Sequence, residues 1–391
     1  MNKFISMVLL ACLLAMPCFA AAKEDINYLD LAALMLRDGN LDRAVVALDQ
    51  VPLADEGIDL KRYYTLRGMA HLRRNEPELA ATALEMAVAQ GGAESVVYVY
   101  LAQVYFQLER YRDVLTTLDQ AGPELASVAS VFHMRAQCHW LLDEPGYALA
   151  TLDQAGELFP QETSFLRRKV FFLIELGLYR EAAEQGRIYL RKSEGKREDY
   201  VALGNAMRAS GELDEAILLL EQARLMYPGD ADLNKVLAHS YLDQGKVNTA
   251  AELIYEASLL DPSLTGEASE LYRRAGRPNR ALMLNGQISD QKVKLRQRLA
   301  LLLELQRYEQ AASMDEDLKR TGLMDDEDIR YALAYAVFKV GDFDTAETHL
   351  QKLTRPDLFR KAAELRRAIQ DCSEDAWQCL YTGSYIPCGS S

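Results

Sequence analysis

The chain has 391 residues, 49% hydrophobic and 26% charged, and its 44 Lys and Arg against 58 Asp and Glu leave a net charge of −14. That apolar content is enough to build a packed core and excludes a disordered chain. The acidic balance excludes nucleic acid and anionic lipid as main ligands, because no surplus of positive charge is available to neutralise phosphates.

At the N-terminus Lys3 precedes an apolar stretch from Phe4 to Met16, followed by Ala20, Ala21 and Ala22 and then Lys23, Glu24 and Asp25. This order reads as a secretory signal peptide over residues 1–22, removed on export, and places the mature protein in the periplasm. Cleavage ahead of Cys12 would leave an apolar stub on the mature chain, which argues against a lipid anchor. No later run is apolar enough to cross a bilayer, so no transmembrane segment is expected in the mature chain. Its remaining cysteines, Cys138, Cys372, Cys379 and Cys388, would meet an oxidising compartment.

From there the sequence repeats itself. Ala80, Val114, Ala148, Ala182, Ala216 and Ala250 stand 34 residues apart, each preceded by a turn such as Asn75-Glu76-Pro77 or Gly211-Glu212-Leu213 and followed by apolar residues at helical spacing. Each unit therefore reads as two helices joined by a tight turn. Twelve residues before the aligned positions stand Gly68, Ala102, Ala136, Val170, Gly204 and Ala238, mostly small, which lets two helices approach closely. Tyr64, Tyr98, Phe132, Leu166 and Tyr200 lie four residues earlier, and His71, Tyr105, His139, Leu173, Met207 and Tyr241 three residues later, marking one buried face of the first helix.

The segments YYTLRGMAHLRRNEPELAATALEMA (63–87) and YVALGNAMRASGELDEAILLLEQARLMYP (200–228) resemble the tetratricopeptide repeat, with its aromatic, Leu-Gly and Tyr in the first helix and Ala, Ala and Pro in the second. Weaker copies centre on Ala44, Ala281, Ala311 and Ala346, at irregular gaps of 36, 31, 30 and 35 residues. The resemblance implies an all-α fold: a right-handed superhelical solenoid of about ten helix-turn-helix repeats over residues 25–360, with a bend or boundary expected near 262–280. A helix over 356–370 would cap the open end, and residues 371–391 form a Cys-containing tail.

No catalytic constellation accompanies the repeats. P-loop, dinucleotide-binding, HExxH, CxxC and GxSxG patterns are missing, so neither an enzyme nor a cofactor or metal is expected. His71 and His139 fall on the buried face and read as core, and His133 and His139 are poorly aligned for a shared metal. The acidic run Asp325 to Asp328 is placed to cap a helix start.

One step round the first helix lies the face that lines the concave groove in tetratricopeptide proteins. Met69, Gln103, Phe106, His133, Gln137, Trp140, Arg167, Phe171, Asn205, Arg208, Lys235 and His239 fall on it and are the candidate partner-binding residues. Phe106, Gln137, Trp140 and Phe171 would form one surface if exposed, while the alternative is that the rings simply fill a narrow groove. The Lys and Asn clamp with which some family members hold a C-terminal carboxylate is not reproduced, because Asn205 is present but the Lys place is Val201. An extended or helical protein segment fits better.

In the tail, Cys372 is expected to pair with Cys379, the alternative being Cys379 with Cys388, through a helix break near Ser373; Cys138 reads as a small buried thiol. The segments LKRYYTLRGMAHLR, YLAQVYFQLERYRDVLTTLDQAG and ALAYAVFKVGDFDTAETHLQKL, with WQCL in the tail, are similar to repeat proteins found beside TonB, ExbB and ExbD transport components. This implies a non-enzymatic scaffold or adaptor in the bacterial cell envelope, an accessory of TonB-dependent transport with TonB/ExbB/ExbD-type partners. A scaffold for exopolysaccharide export or outer-membrane assembly is the alternative, followed by a glycan-binding module using Trp140 and tyrosines as stacking platforms.

Overall fold

The computed structural model describes residues 27–374. The signal peptide, Cys379 and Cys388 lie outside the described residues. Among the described residues every regular element is helical. They fall into ten helix pairs and a final helix, Pro356–Glu374. The chain divides into two compact units, 1–165 and 166–391.

The first unit holds the pairs Tyr28–Arg37 with Leu41–Asp49, Leu60–Arg73 with Pro77–Ala89, Ser95–Gln107 with Tyr111–Gln120, and Ala129–Leu141 with Pro145–Leu158. In the second, the helix Ser164–Glu175 with Tyr179–Lys192 is followed by Arg197–Ser210 with Leu213–Met226 and by Ala231–Asp243 with Val247–Ser258. Shorter pairs come next: Thr265–Arg274 with Pro278–Asn285, Gln291–Glu304 with Tyr308–Ala312 and Asp315–Arg320, and Glu327–Lys339 with Phe343–Leu350. The gap of 31 residues, from Ala250 to Ala281, spans the short first helix Thr265–Arg274, and the gap of 30, from Ala281 to Ala311, spans the end of the short second helix Pro278–Asn285.

The reason each pair turns back is the same. Between its two helices stands one residue with positive φ: Gly39, Asn75, Glu109, Asp143, Gly177, Gly211, Gly245, Gly276, Gln306 and Gly341 in chain order. The next residue's N–H then reaches back to a carbonyl of the last helical turn, as in Arg110 N to Tyr105 O at 2.9 Å and Glu212 N to Met207 O at 2.9 Å. Six of the ten are glycine, which adopts this conformation freely; Glu109 and Gln306 hold it at a cost of about 1 kcal/mol each.

Packing inside a pair follows the aligned positions. Ala44, Ala80, Val114, Ala148, Ala182, Ala216, Ala250, Ala281, Ala311 and Ala346 are all wholly buried. A Cβ on Gly68 would stand 2.5 Å from Leu84 Cγ, and one on Gly204 would stand 2.6 Å from Leu220 Cδ2. The two helices therefore touch at the absent side chain. The buried face of the first helix is wider than the sequence pattern indicates: Tyr63 is buried where Tyr64 is expected, and Val97, Leu101 and Val104 are buried beside Ala102 and Tyr105. Cys138 belongs to this additional stripe; it is free and wholly buried, and loss of hydration pushes its thiol up to about 12.

Polar pairs add to this packing, Tyr–Glu bonds between neighbouring repeats and His–Glu bonds within one. Tyr105, Tyr241 and Tyr272 donate their hydroxyls to Glu85, Glu221 and Glu252, at 2.8, 3.0 and 2.7 Å, each carboxylate lying 20 residues earlier on the preceding second helix. A cation five residues on completes the first two: Arg110 lies 4.3 Å from the Tyr105 ring centroid and Lys246 lies 5.4 Å from that of Tyr241. Where His replaces Tyr, the residue five on becomes acidic, with His71 Nδ1 2.7 Å from Glu76 Oε2 and His139 Nδ1 2.8 Å from Glu144 Oε2. Those bonds hold both carboxyls below the usual carboxylate range. The two histidines are thus partnered, His71 buried and His139 half-buried. Glu252 accepts from Arg277 at 2.9 Å, whereas Arg187 donates to Glu212 at 2.6 Å, the same link with its charges exchanged.

The acidic run caps as expected: Asp326 accepts from Asp328 N at 3.0 Å, and Glu327 accepts from Thr354 N and Arg355 N, both at 2.9 Å, fixing the start of the final helix. That helix buries Leu358, Ala362, Leu365 and Cys372 against the last repeats. It continues through Ser373 to Glu374, four residues beyond the expected 356–370, so the break expected near Ser373 is not there. The apolar positions 358, 362, 365 and 372 keep helical spacing to its end, which carries the helix past the serine.

His349 is buried in the same region, its Nε2 3.6 Å from Asp315 Oδ1 and too far for a hydrogen bond. Burial pushes its pKa down; Lys319, Arg330 and Lys352 add to that, and Asp315 opposes it. On acidification below about pH 6.5 the unfolded chain therefore binds a proton that the folded chain resists. The resulting stability is present above that pH and is lost as pH falls. The melting temperature is expected to drop between about pH 7.5 and 5.5, and to drop less in His349→Leu, compared by thermal melts of the two proteins at each pH. Equal drops in both would show that His349 is not the group responsible.

Candidate partner-binding face

The expected binding residues lie on first helices, turned one step from the packed face. All of them are half-buried except Gln103, which is exposed. In the first unit, Met69 packs on the core formed by the first two helix pairs, and the Phe106 ring meets Tyr111 edge-on at 5.5 Å between centroids. His133 Nε2 lies 2.8 Å from Ser164 Oγ while its ring stacks on Phe165 at 4.1 Å. Gln137 and Trp140 are half-buried and engaged in contacts. Phe106, Trp140 and Phe171 are each half-buried, and Phe106 packs against the neighbouring second helix through Tyr111.

The second unit presents charged groups on the same face. Arg167 donates from Nε to Asp199 Oδ1 at 2.7 Å, and its guanidinium lies 4.9 Å from the Phe171 ring centroid. Asp199 is 1% exposed and also accepts from Tyr189 Oη at 2.9 Å and Lys196 N at 2.9 Å. Its place in the repeat is apolar elsewhere, held by Val97, Val131, Phe165 and Leu233, all buried. The sequence reading missed this carboxylate; its signal was an acid on an otherwise apolar stripe, with an Arg 32 residues earlier. Burial raises the Tyr189 phenol above its ordinary value, with the bond to Asp199 adding to the effect.

Further along, Arg208 Nη1 donates to Asp243 Oδ2 at 2.9 Å and His239 Nε2 lies 2.6 Å from Glu267 Oε1. The latter bond holds the Glu267 carboxyl low against its own burial. Asn205 and Lys235 are half-buried on the same face. Among the described residues no group of three or more His, Cys, Asp or Glu could hold a metal ion, and no helix is long and apolar enough to cross a membrane. Two open clefts of about 260 and 300 Å³ lie in the first unit, one beside Phe132, Arg135 and His139 and the other beside Glu85, Tyr105 and Asp113.

Antiparallel helix pairs, each turned by one left-handed residue and each closed over a buried small residue, define an all-α repeat protein of the solenoid class. The tetratricopeptide repeat family model matches residues 207–274, within the same series of pairs, and the described helix pairs form a tetratricopeptide-type solenoid. Comparison with curated proteins finds no match. Among solved structures it is similar to a tetratricopeptide repeat protein from Parabacteroides merdae, with 15% identity over 63% of this chain and 100% of that one, and a TM-score of 0.43. It is also similar to PilF of Pseudomonas aeruginosa, with 17% identity, 54% and 96% coverage and a TM-score of 0.40. YrrB, described as a TPR protein with an unusual peptide-binding site, shows 18% identity, 47% and 94% coverage and a TM-score of 0.40.

Proposed function

We propose that the protein is an exported, non-enzymatic scaffold that holds a protein partner in the bacterial cell envelope, as an accessory of TonB-dependent transport. The observation that carries the scaffold reading is the outward face of the first helices, where aromatic rings and amides in one unit and cations in the other are fixed in place and no catalytic grouping accompanies them. The envelope and TonB parts rest on the N-terminal sequence and on the resemblance of residues 60–73, 100–122 and 332–353 to repeat proteins of that system.

A photoreactive residue placed at exposed Gln103 is expected to capture a partner from an envelope fraction, whereas one at exposed Thr116, on a second helix, is not. Capture of TonB, ExbB or ExbD supports the finer reading, and capture of another envelope protein leaves only the scaffold. Crosslinking confined to Thr116 would remove this face as the binding site.

Export also predicts a tail disulfide between Cys372 and Cys379. Seven residues of continuous helix would hold the two Cα atoms about 10 Å apart, beyond the roughly 7 Å a disulfide spans. Non-reduced peptide mapping of the exported protein is expected to recover that linked pair with Cys138 free. A peptide joining Cys138 to the tail is the outcome that removes this proposal.

A further inference from the structure

Across the three repeats that open the second unit, the outward face carries Arg167, Phe171, Ile174, Val201, Asn205, Arg208, Lys235, His239 and Leu242, with no acid among the nine in a chain of net charge −14. Three of these residues keep donors that the protein does not use. The Arg167 guanidinium is pinned by Nε to buried Asp199 and by its face to Phe171, while no bond or ion pair within the protein engages its two terminal amino groups. Asn205 and Lys235 have neither hydrogen bond nor ion pair among the described residues, although both are half-buried. Asp261 and Glu267 are near enough to feel the Lys235 charge but form no ion pair with it. By contrast Arg208 and His239, on the same face, are tied to Asp243 and Glu267.

From this we infer that the second unit binds an internal, extended, acidic segment of its partner, whose side-chain carboxylates are taken by Arg167 and Lys235 with Asn205 between them. Charge complementarity selects the occupant: a fixed guanidinium with free terminal donors and an ammonium without an ion pair attract carboxylates and repel the same face of a second copy. Arg167 is preorganised, because Asp199 and Phe171 already fix the plane of its guanidinium, so little freedom is lost when a carboxylate docks in its fork. Arg167 and Lys235 hold the same place two repeats apart. With first helices about 8 to 10 Å apart, that separates the two cations by roughly 16 to 20 Å, or about five or six residues of extended chain.

The inference rests on the scaffold reading and is tested with the full chain and a phage library of random dodecapeptides, each fused to coat protein at its C-terminus. Enriched peptides are expected to carry two or more Asp or Glu, about five or six residues apart, and to release at about 0.5 M salt. A soluble, amidated copy of the best peptide should bind, and Lys235→Gln should weaken it by about tenfold or more while leaving the melt nearly unchanged, since Lys235 makes no hydrogen bond or ion pair among the described residues. Because Arg167 steadies a buried acid, its arm uses the pair Arg167→Gln with Asp199→Asn, again expected to lose about tenfold or more. Enrichment of peptides without acids overturns the inference and leaves the scaffold standing. Acidic peptides indifferent to both variants, or a need for a free C-terminal carboxylate, also overturn it. Failure to enrich any peptide overturns it together with the use of this face for peptide binding.

Discussion

Replacing Asp199 by Ala should destabilise the second unit by about 3 kcal/mol. The substitution leaves the Tyr189 hydroxyl, the Lys196 amide and Arg167 Nε without their acceptor, in a place where the carboxylate itself is 1% exposed. Arg167 is 36% exposed and can turn to water, which keeps the cost below that of a fully enclosed ion pair. Asp199→Asn keeps an acceptor oxygen and should lose about half as much. Urea unfolding gives the magnitude, and hydrogen exchange should show protection lost first over residues 164–210, because repeats can open locally. A neutral Asp199→Ala would mean that the three donors find other partners and that the network does not hold these helices together.

A second large effect is expected where Gly204 meets Leu220. Leu220→Ala empties a wholly buried site and should cost about 2 to 5 kcal/mol. Gly204→Leu drives a side chain into space that Leu220 already occupies, at about 1 to 3 kcal/mol. The double variant should cost clearly less than the sum, because the new leucine can fill the volume that Leu220 vacates. Strict additivity in urea unfolding would show that the two positions do not face each other.

These two sites mark the limits of what the sequence discloses. Gly204 was legible, since a small residue recurring twelve positions before Ala80, Ala216 and their equivalents has little reason to exist except close helix contact. The turns were legible as well, although the pattern pointed to glycine and not to Asn75, Glu109, Asp143 and Gln306 taking the same left-handed conformation. Asp199 was not legible, because the amphipathic period assigns burial by hydrophobicity and an acid on the buried stripe reads as surface. The width of the buried face escaped for a related reason: a first helix packs against its own second helix and against the neighbouring repeats, so more than one stripe is covered.

The spacing places the candidate residues on one face of the first helices, but not the contacts they make there. Phe106, Arg208 and His239 read as exposed along one helix, yet each leans on groups from other helices. Arg208 finds Asp243 35 residues on and His239 finds Glu267 28 residues on. Such pairs belong to the stacking of one repeat on the next and leave no mark in the periodicity of a single helix.

The exchanged charge pair bears on how the chain avoids assembling out of sequence. A row of near-identical hairpins could fold with two omitted, since neighbours offer much the same apolar surface. Arg187 seeks Glu212, whereas the corresponding link in a later repeat runs from Glu252 to Arg277. Docking the helix that carries Arg187 onto the hairpin that carries Arg277 would set two cations together, at the point where each hairpin first touches its predecessor. The polarity of these links thus works as an address, distinguishing the true neighbour from its look-alike two places along the chain.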